Sequence, residues 1–269
     1  MNVLFFKTTL VLYFLGTFLF LVHLASKKAL LSRLSLLATA TGFFFHTIAL
    51  LTRMMEGGPI PLTNFYDAMS FFSWALVLTF LLVEYRYRIL ILGSFILPLA
   101  FLSLISAAAV PRQIQSLNPM WQNVWVLIHV SLTILGLVAF TVAFVVGVMY
   151  LIQERLLKSK RFNSLYNELP SLDLLDDFNR KAVILGFPLL TLGMITGAIL
   201  SENIFQAYAS FQPVETLTLV TWLFYLAMLH GRLTVGWRAK KAAYLAVLGF
   251  ISVMLTVGVN FISKGPHTF

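Results

Sequence analysis

No cysteine occurs anywhere in the chain. That absence excludes structural disulfides, thiolate metal ligands and cysteine redox chemistry, and leaves histidine and methionine to bind any soft or redox-active metal. Acidic residues are also scarce, with 10 Asp and Glu against 19 Lys and Arg, and charged residues make up only 11% of the sequence. So little charge cannot cover a soluble domain of 269 residues. Proline, at 9 positions, interrupts few stretches, so long helices are permitted. No paired nucleophile and base, zinc-type ligand spacing or phosphate-binding loop is found. What the chain does have is apolar: 59% hydrophobic residues, 25 of them Phe, and a mean hydropathy of +0.90. It reads as an integral membrane protein.

Apolar runs near residues 4–24, 34–51, 68–83, 89–110, 124–152, 182–200, 214–229 and 242–262 are long enough for helices that cross a hydrocarbon core, and too long for barrel strands. The expected fold is all-α, a polytopic bundle of eight transmembrane helices in one domain spanning 1–269. Fifteen of the nineteen basic residues fall in alternate connections, around 27–33, 86–88, 155–181 and 232–241. Only Lys7, Arg53, Arg112 and Lys264 fall on the other side. The positive-inside rule makes the first set cytoplasmic and turns both termini outward. It also accounts for the net charge of +9 without nucleic acid, leaving the lipid bilayer as the partner. The first run lacks a small-residue cleavage site, so no signal peptide is expected. In the long inner connection, Ser171 is placed to cap a helix whose stripe is Leu172, Leu175 and Phe178. This segment is read as a surface helix feeding the sixth span, with a docking site for a cytoplasmic partner as the alternative.

The five histidines are His23, His46, His129, His230 and His267. An ionisable residue in a span points to function, although neutral imidazole is the mildest case and is often simply hydrogen-bonded between helices. His129 stands about five residues into the fifth run and His267 follows the eighth, so both lie within roughly 10 Å of the outer interface. They can flank one iron, as an imidazole pair does in many haem proteins; solvated boundary histidines are the plain alternative. His230 ends the seventh run at the inner face, at the depth of His23, so a second inner ligand could be His23 or come from another subunit. His46 lies about 10 Å below the outer face, seven residues before Arg53, and so roughly 20 Å from the depth of His230.

Between the sixth and seventh runs, the nearly uncharged outer loop 201–213 carries Phe205, Tyr208 and Phe211 at intervals of three. The rings could form a platform for a flat apolar ligand or an ordinary interfacial aromatic belt. Opposite it in the topology, Gly57 to Asp67 is a Gly/Pro turn in which Asn64 or Thr63 caps the third span. Gly186, Gly193 and Gly197 in the sixth span read as sites of close helix packing rather than nucleotide binding.

Four stretches then converge on one family: Pro61 to Ala68, Trp125 to Val130 around His129, Gly186 to Thr191 with Gly197-Ala198, and Gly258-Val259-Asn260 leading to His267. Over nearly its full length the chain resembles the cytochrome c assembly superfamily that includes CcsA, CcmC and HemX-type proteins. The resemblance implies a multi-pass protein of the bacterial plasma membrane. It would present haem, expected as haem b, on the outer face for attachment to apocytochrome c, at most as part of a lyase complex. His129 and His267 match the two outer iron ligands, and His230 matches a third histidine of an inner haem site whose second ligand can come from a CcsB-like subunit. His46 matches a histidine present in some members. The loop that is tryptophan-rich in CcsA-like proteins corresponds to 205–217 here. Tyr208, Ser210, Pro213, Glu215 and Thr216 are kept, while Phe205, Ala209, Phe211 and Leu217 replace tryptophans and Gln212 replaces the aspartate. The expected cofactor-binding set is therefore His129, His267, His230, His46, Phe205, Tyr208, Phe211, Pro213 and Glu215. Two alternatives stand beside assembly: a HemX-type regulator of tetrapyrrole synthesis acting on glutamyl-tRNA reductase, and a haem transporter.

Overall fold

The computed structural model describes residues 2–26, 28–57, 64–112, 124–205 and 213–262. Among these residues there are nine α-helices: α1 Asn2–Ser26, α2 Ala29–Gly57, α3 Phe65–Tyr87, α4 Gly93–Ala108, α5 Val124–Lys158, α6 Ser164–Glu168, α7 Leu172–Phe205, α8 Pro213–Leu233 and α9 Ala239–Ile262. All except the five-residue α6 are long and apolar enough to cross a membrane, α4 together with the 3-10 turn Leu90–Leu92 that leads into it, and the described residues contain no strand. The chain is a multi-pass membrane protein, and seven of the eight apolar runs lie within one of these helices; the fourth, 89–110, begins before α4, across the 3-10 turn at Leu90–Leu92, and ends just beyond it. Apart from α4, the helices reach or pass the ends of their runs because polar ends continue the backbone ladder. Asn64, with extended φ and ψ, accepts from the Asp67 N–H at 2.8 Å and starts α3. Glu154 and Lys158 pair at 2.7 Å on the last turn of α5. Ser171 caps α7 through the Leu174 N–H at 3.4 Å, and its amphipathic stretch is no separate surface helix: it continues unbroken into the sixth span.

The helices cluster into two compact units, Met1–Ser116 and Leu117–Phe269. Burial of apolar groups gives little net drive between helices in lipid, so close packing and interhelical hydrogen bonds have to hold each unit together. In the first unit, α1 approaches α2 where Gly16 faces Thr39 and Gly42 faces the Tyr13 ring, and the Ser35 hydroxyl donates to the Gly16 carbonyl at 2.6 Å. Ser73 on α3 donates to Ala100 of α4 at 2.8 Å. Trp74 stacks between Phe43 and Phe71 while its indole N–H donates to Thr47. Near one end of this unit Arg53 donates through Nε to Asp67 at 3.1 Å and through Nη1 to the Arg112 carbonyl, with both members of the ion pair buried. The Arg112 guanidinium lies over the rings of Phe6 and Tyr66.

In the second unit α5 is the central helix, packed along α7 and α9. Phe140 stacks on Tyr225 of α8 at 3.5 Å between centroids, and Phe144 stacks on Phe250 of α9 at 4.0 Å. Gly147 lies against Ala243 and Ala246. The expected packing role of the span-six glycines holds: a Cβ at Gly186 would meet the Phe140 ring at 2.7 Å, and one at Gly193 would meet Thr133 Oγ1 at 2.5 Å. At the other end of α7 a polar knot joins four helices. Arg232 of α8 donates to Asp176 at 2.9 Å and to Asn179 at 2.6 Å; Asn179 donates to the Ala143 carbonyl of α5 at 2.7 Å; and Asp176 accepts the Ala239 N–H that opens α9.

Candidate functional site

His129 lies in the second turn of α5, half-buried, on the side that meets α7. Its Nδ1 is 2.7 Å from the carbonyl oxygen of Gly193. Because a carbonyl only accepts, Nδ1 must carry a proton, and in the neutral ring the in-plane lone pair is then on Nε2. The ring lies on Gly197: a Cβ there would sit 2.6 Å from Cε1 and 2.8 Å from Nδ1. Gly193 and Gly197, one helical turn apart, therefore supply the hydrogen-bond acceptor and the space respectively. Two buried hydroxyls near this contact have no hydrogen-bond partner, Thr133 one turn further along α5 and Ser201 one turn further along α7. Orphaned hydroxyls are uncommon in a folded interior and mark places that a further group can satisfy.

This arrangement suits an iron ligand. Metal-binding imidazoles characteristically donate their other N–H to a carboxylate or a backbone carbonyl, which fixes the ring and raises the basicity of the ligating nitrogen. The donor chemistry at His129 fits haem, which needs one imidazole nitrogen on each face and no protein chelate. Among the described residues no group of three or more His, Asp or Glu could hold a bare metal ion.

The other expected site residues are distributed as follows. His267, Tyr208 and Phe211 lie outside the described residues, as does the side chain of Phe205, whose backbone closes α7. Pro213 opens α8 and Glu215 stands in its first turn, positions that suit a residue without an N–H and a negative charge. His230 is exposed in the last turn of α8, where its backbone carbonyl accepts from Thr234. Its neighbour Arg232 meets α7 at Asp176 and Asn179, whereas His129 meets α7 at Gly193 and Gly197. Fourteen or more residues of helix separate the two levels, roughly 21 Å, so His129 and His230 belong to different places within this unit.

His46 and His23 belong to the first unit. His46 is fully buried, with Nδ1 3.3 Å from the Tyr13 hydroxyl and Nε2 3.0 Å from the Ser70 hydroxyl. Both ring nitrogens are thus engaged between α1 and α3, and a bond from iron to either would displace one of these partners. His23 Nδ1 faces the Lys28 carbonyl at 3.1 Å. The knot of Asp176, Asn179 and Arg232 and the Arg53–Asp67 pair were not foreseen. In the sequence Arg53 and Arg232 read only as markers of topology, and nothing local to them points to partners on other helices.

Comparison with known proteins bears on the same residues. The family described as Cytochrome C assembly protein matches residues 62–267, from just before α3 through His267. A cytochrome c biogenesis protein CcsA of Guillardia theta is 32% identical over 83% of this chain and 81% of its own length. The CcsA of Pyropia yezoensis is 29% identical over 89% of this chain and 88% of its own. Among solved structures, the cytochrome c haem lyase CcmF superposes with a TM-score of 0.70 over 96% of this chain at 17% identity, a likeness of fold. This chain spans about half of that protein, covering 46% of it.

Proposed function

The chain belongs to the cytochrome c assembly protein family, and from that premise we propose that it serves cytochrome c maturation by holding haem, as haem b, for attachment to an apocytochrome c. The observation that carries this reading is the His129 imidazole, anchored through Nδ1 on the Gly193 carbonyl so that Nε2 is the ligating nitrogen. His129 and His267 would hold the iron, at the outer face to which the distribution of basic residues assigns them. Phe205, Tyr208, Phe211, Pro213 and Glu215 would supply the apolar rings and polar groups beside the porphyrin. Haem, when bound, would supply vinyl groups as the acceptors for the thiols of the partner. This chain has no thiol of its own, so its residues bind and orient while the apocytochrome provides the nucleophiles. A CcsB-like subunit in the same bacterial plasma membrane completes the assembly and contributes the second ligand beside His230 at an inner site. His46, with both nitrogens engaged, serves the first unit as a hydrogen-bonded link and not as a ligand.

Gene deletion tests this function. The reading expects loss of membrane c-type cytochromes, restored by the wild-type gene but not by one encoding His129→Ala. The altered loop at 205–217 favours a second reading, a HemX-type regulator of tetrapyrrole synthesis, since it lacks indole donors and a carboxylate. That reading predicts normal c-type cytochromes and altered abundance of glutamyl-tRNA reductase in the same deletion strain.

A further inference from the structure

Three glycines of α7 face α5, and only one of them faces the imidazole. A Cβ at Gly186 would press on Phe140, crowding the helix pair away from His129, and one at Gly193 would press on Thr133 beside the carbonyl that anchors the imidazole. A Cβ at Gly197 would fall 2.6 and 2.8 Å from two atoms of the His129 ring, inside any tolerable contact. The ring would have to move, and the 2.7 Å bond to the Gly193 carbonyl would be lost with it. The Thr196 hydroxyl lies between two carbonyls, 2.8 Å from that of Leu192 and 2.9 Å from that of Gly193, so its single proton is shared with the anchor.

We propose that Gly193 and Gly197 form a slot that holds His129 in its Nδ1–H tautomer before haem arrives, making them positioning residues for the ligand. The haem part of this inference rests on the reading of His129 as an axial ligand; the tautomer does not. Gly193 supplies an acceptor that only one tautomer can satisfy. Gly197 supplies the room for the ring to reach it. Anchored in this way, Nε2 is the stronger donor and favours ferric over ferrous iron.

The test uses the full chain in lipid nanodiscs, with ¹⁵N-labelled histidine and no haem, and two-bond ¹⁵N–¹H correlation to read tautomers. The His129 signal, identified by its loss in His129→Gln, is expected to show a protonated Nδ1 and an unprotonated Nε2. Gly197→Ala should abolish that pattern, whereas Gly186→Ala, which crowds the same pair of helices, should preserve it. On haem titration Gly197→Ala should bind about 10- to 100-fold more weakly and with a raised reduction potential, and Gly186→Ala should match wild type. A protonated Nε2 in the wild-type protein, or an unchanged His129 signal in folded Gly197→Ala, overturns the slot. If Gly197→Ala does not accumulate, Gly197→Ser replaces it: its Cβ meets the same two ring atoms, so the Nδ1–H pattern should again be lost, and an unchanged His129 signal contradicts the slot. A correct tautomer combined with haem binding unaffected by His129→Gln would instead overturn the ligand reading, so the two failures are distinguishable.

Discussion

Asn179 connects α5, α7 and α8 through two hydrogen bonds, and replacing it with leucine should weaken the second unit by about 3 kcal/mol. The amide is buried, donates to the Ala143 carbonyl at 2.7 Å and accepts from Arg232 at 2.6 Å. The bond to the guanidinium is charge-assisted and contributes about 1.5–3 kcal/mol, and the neutral one about 0.5–1.5 kcal/mol. Leucine has nearly the same volume, so little cavity cost adds to the loss. Arg232→Met removes the shared bond together with the Asp176 pair at 2.9 Å, so the two substitutions must be coupled. The double variant should lose about 2 kcal/mol less than the sum of the single losses. The assay is reversible unfolding of the purified protein in mixed micelles, titrated with denaturing detergent and followed by helix content. Additivity within about 0.5 kcal/mol would refute the shared bond, and a loss below about 1 kcal/mol for Asn179→Leu would refute the importance of the knot.

Asp67→Asn should destabilise the first unit by about 3–5 kcal/mol, because it leaves the Arg53 charge buried without a counterion; the double replacement Arg53→Met with Asp67→Leu should recover most of that loss in the same assay. His46→Leu should cost about 1–3 kcal/mol by stranding the Tyr13 and Ser70 hydroxyls, and should leave the absorption spectrum of bound haem unchanged; a lost or shifted Soret band would restore His46 as a ligand. Trp222→Phe should cost about 1 kcal/mol through the lost indole bond to Thr191 at 2.8 Å, read as a lower unfolding midpoint; no change in midpoint would show that this bond contributes nothing.

The spans were legible because hydropathy over about twenty residues is a strong signal, and the α3 cap at Asn64 followed from side-chain chemistry next to a run. The reach of α7 back to Leu172 was not, since a charged amphipathic stretch reads alike as a surface helix and as the wet end of a span. Glycines at 186, 193 and 197 announced close packing. That one of them fits against an imidazole depends on the relative rotation of α5 and α7, which no periodicity encodes. Likewise Asp176 and Arg232 are 56 positions apart, and nothing local marks them as partners. His46 reads in sequence as a candidate ligand because its two neighbours come from helices distant in the chain, Tyr13 on α1 and Ser70 on α3.

The most direct measurement is the absorption and electron paramagnetic resonance spectrum of the protein purified under haem-replete conditions, compared with a His129→Ala, His267→Ala double variant. The account predicts a low-spin bis-imidazole signature in the wild type that is lost from the outer site in the double variant. Purification without haem, or a bis-imidazole signature that the double variant leaves unchanged, would contradict it.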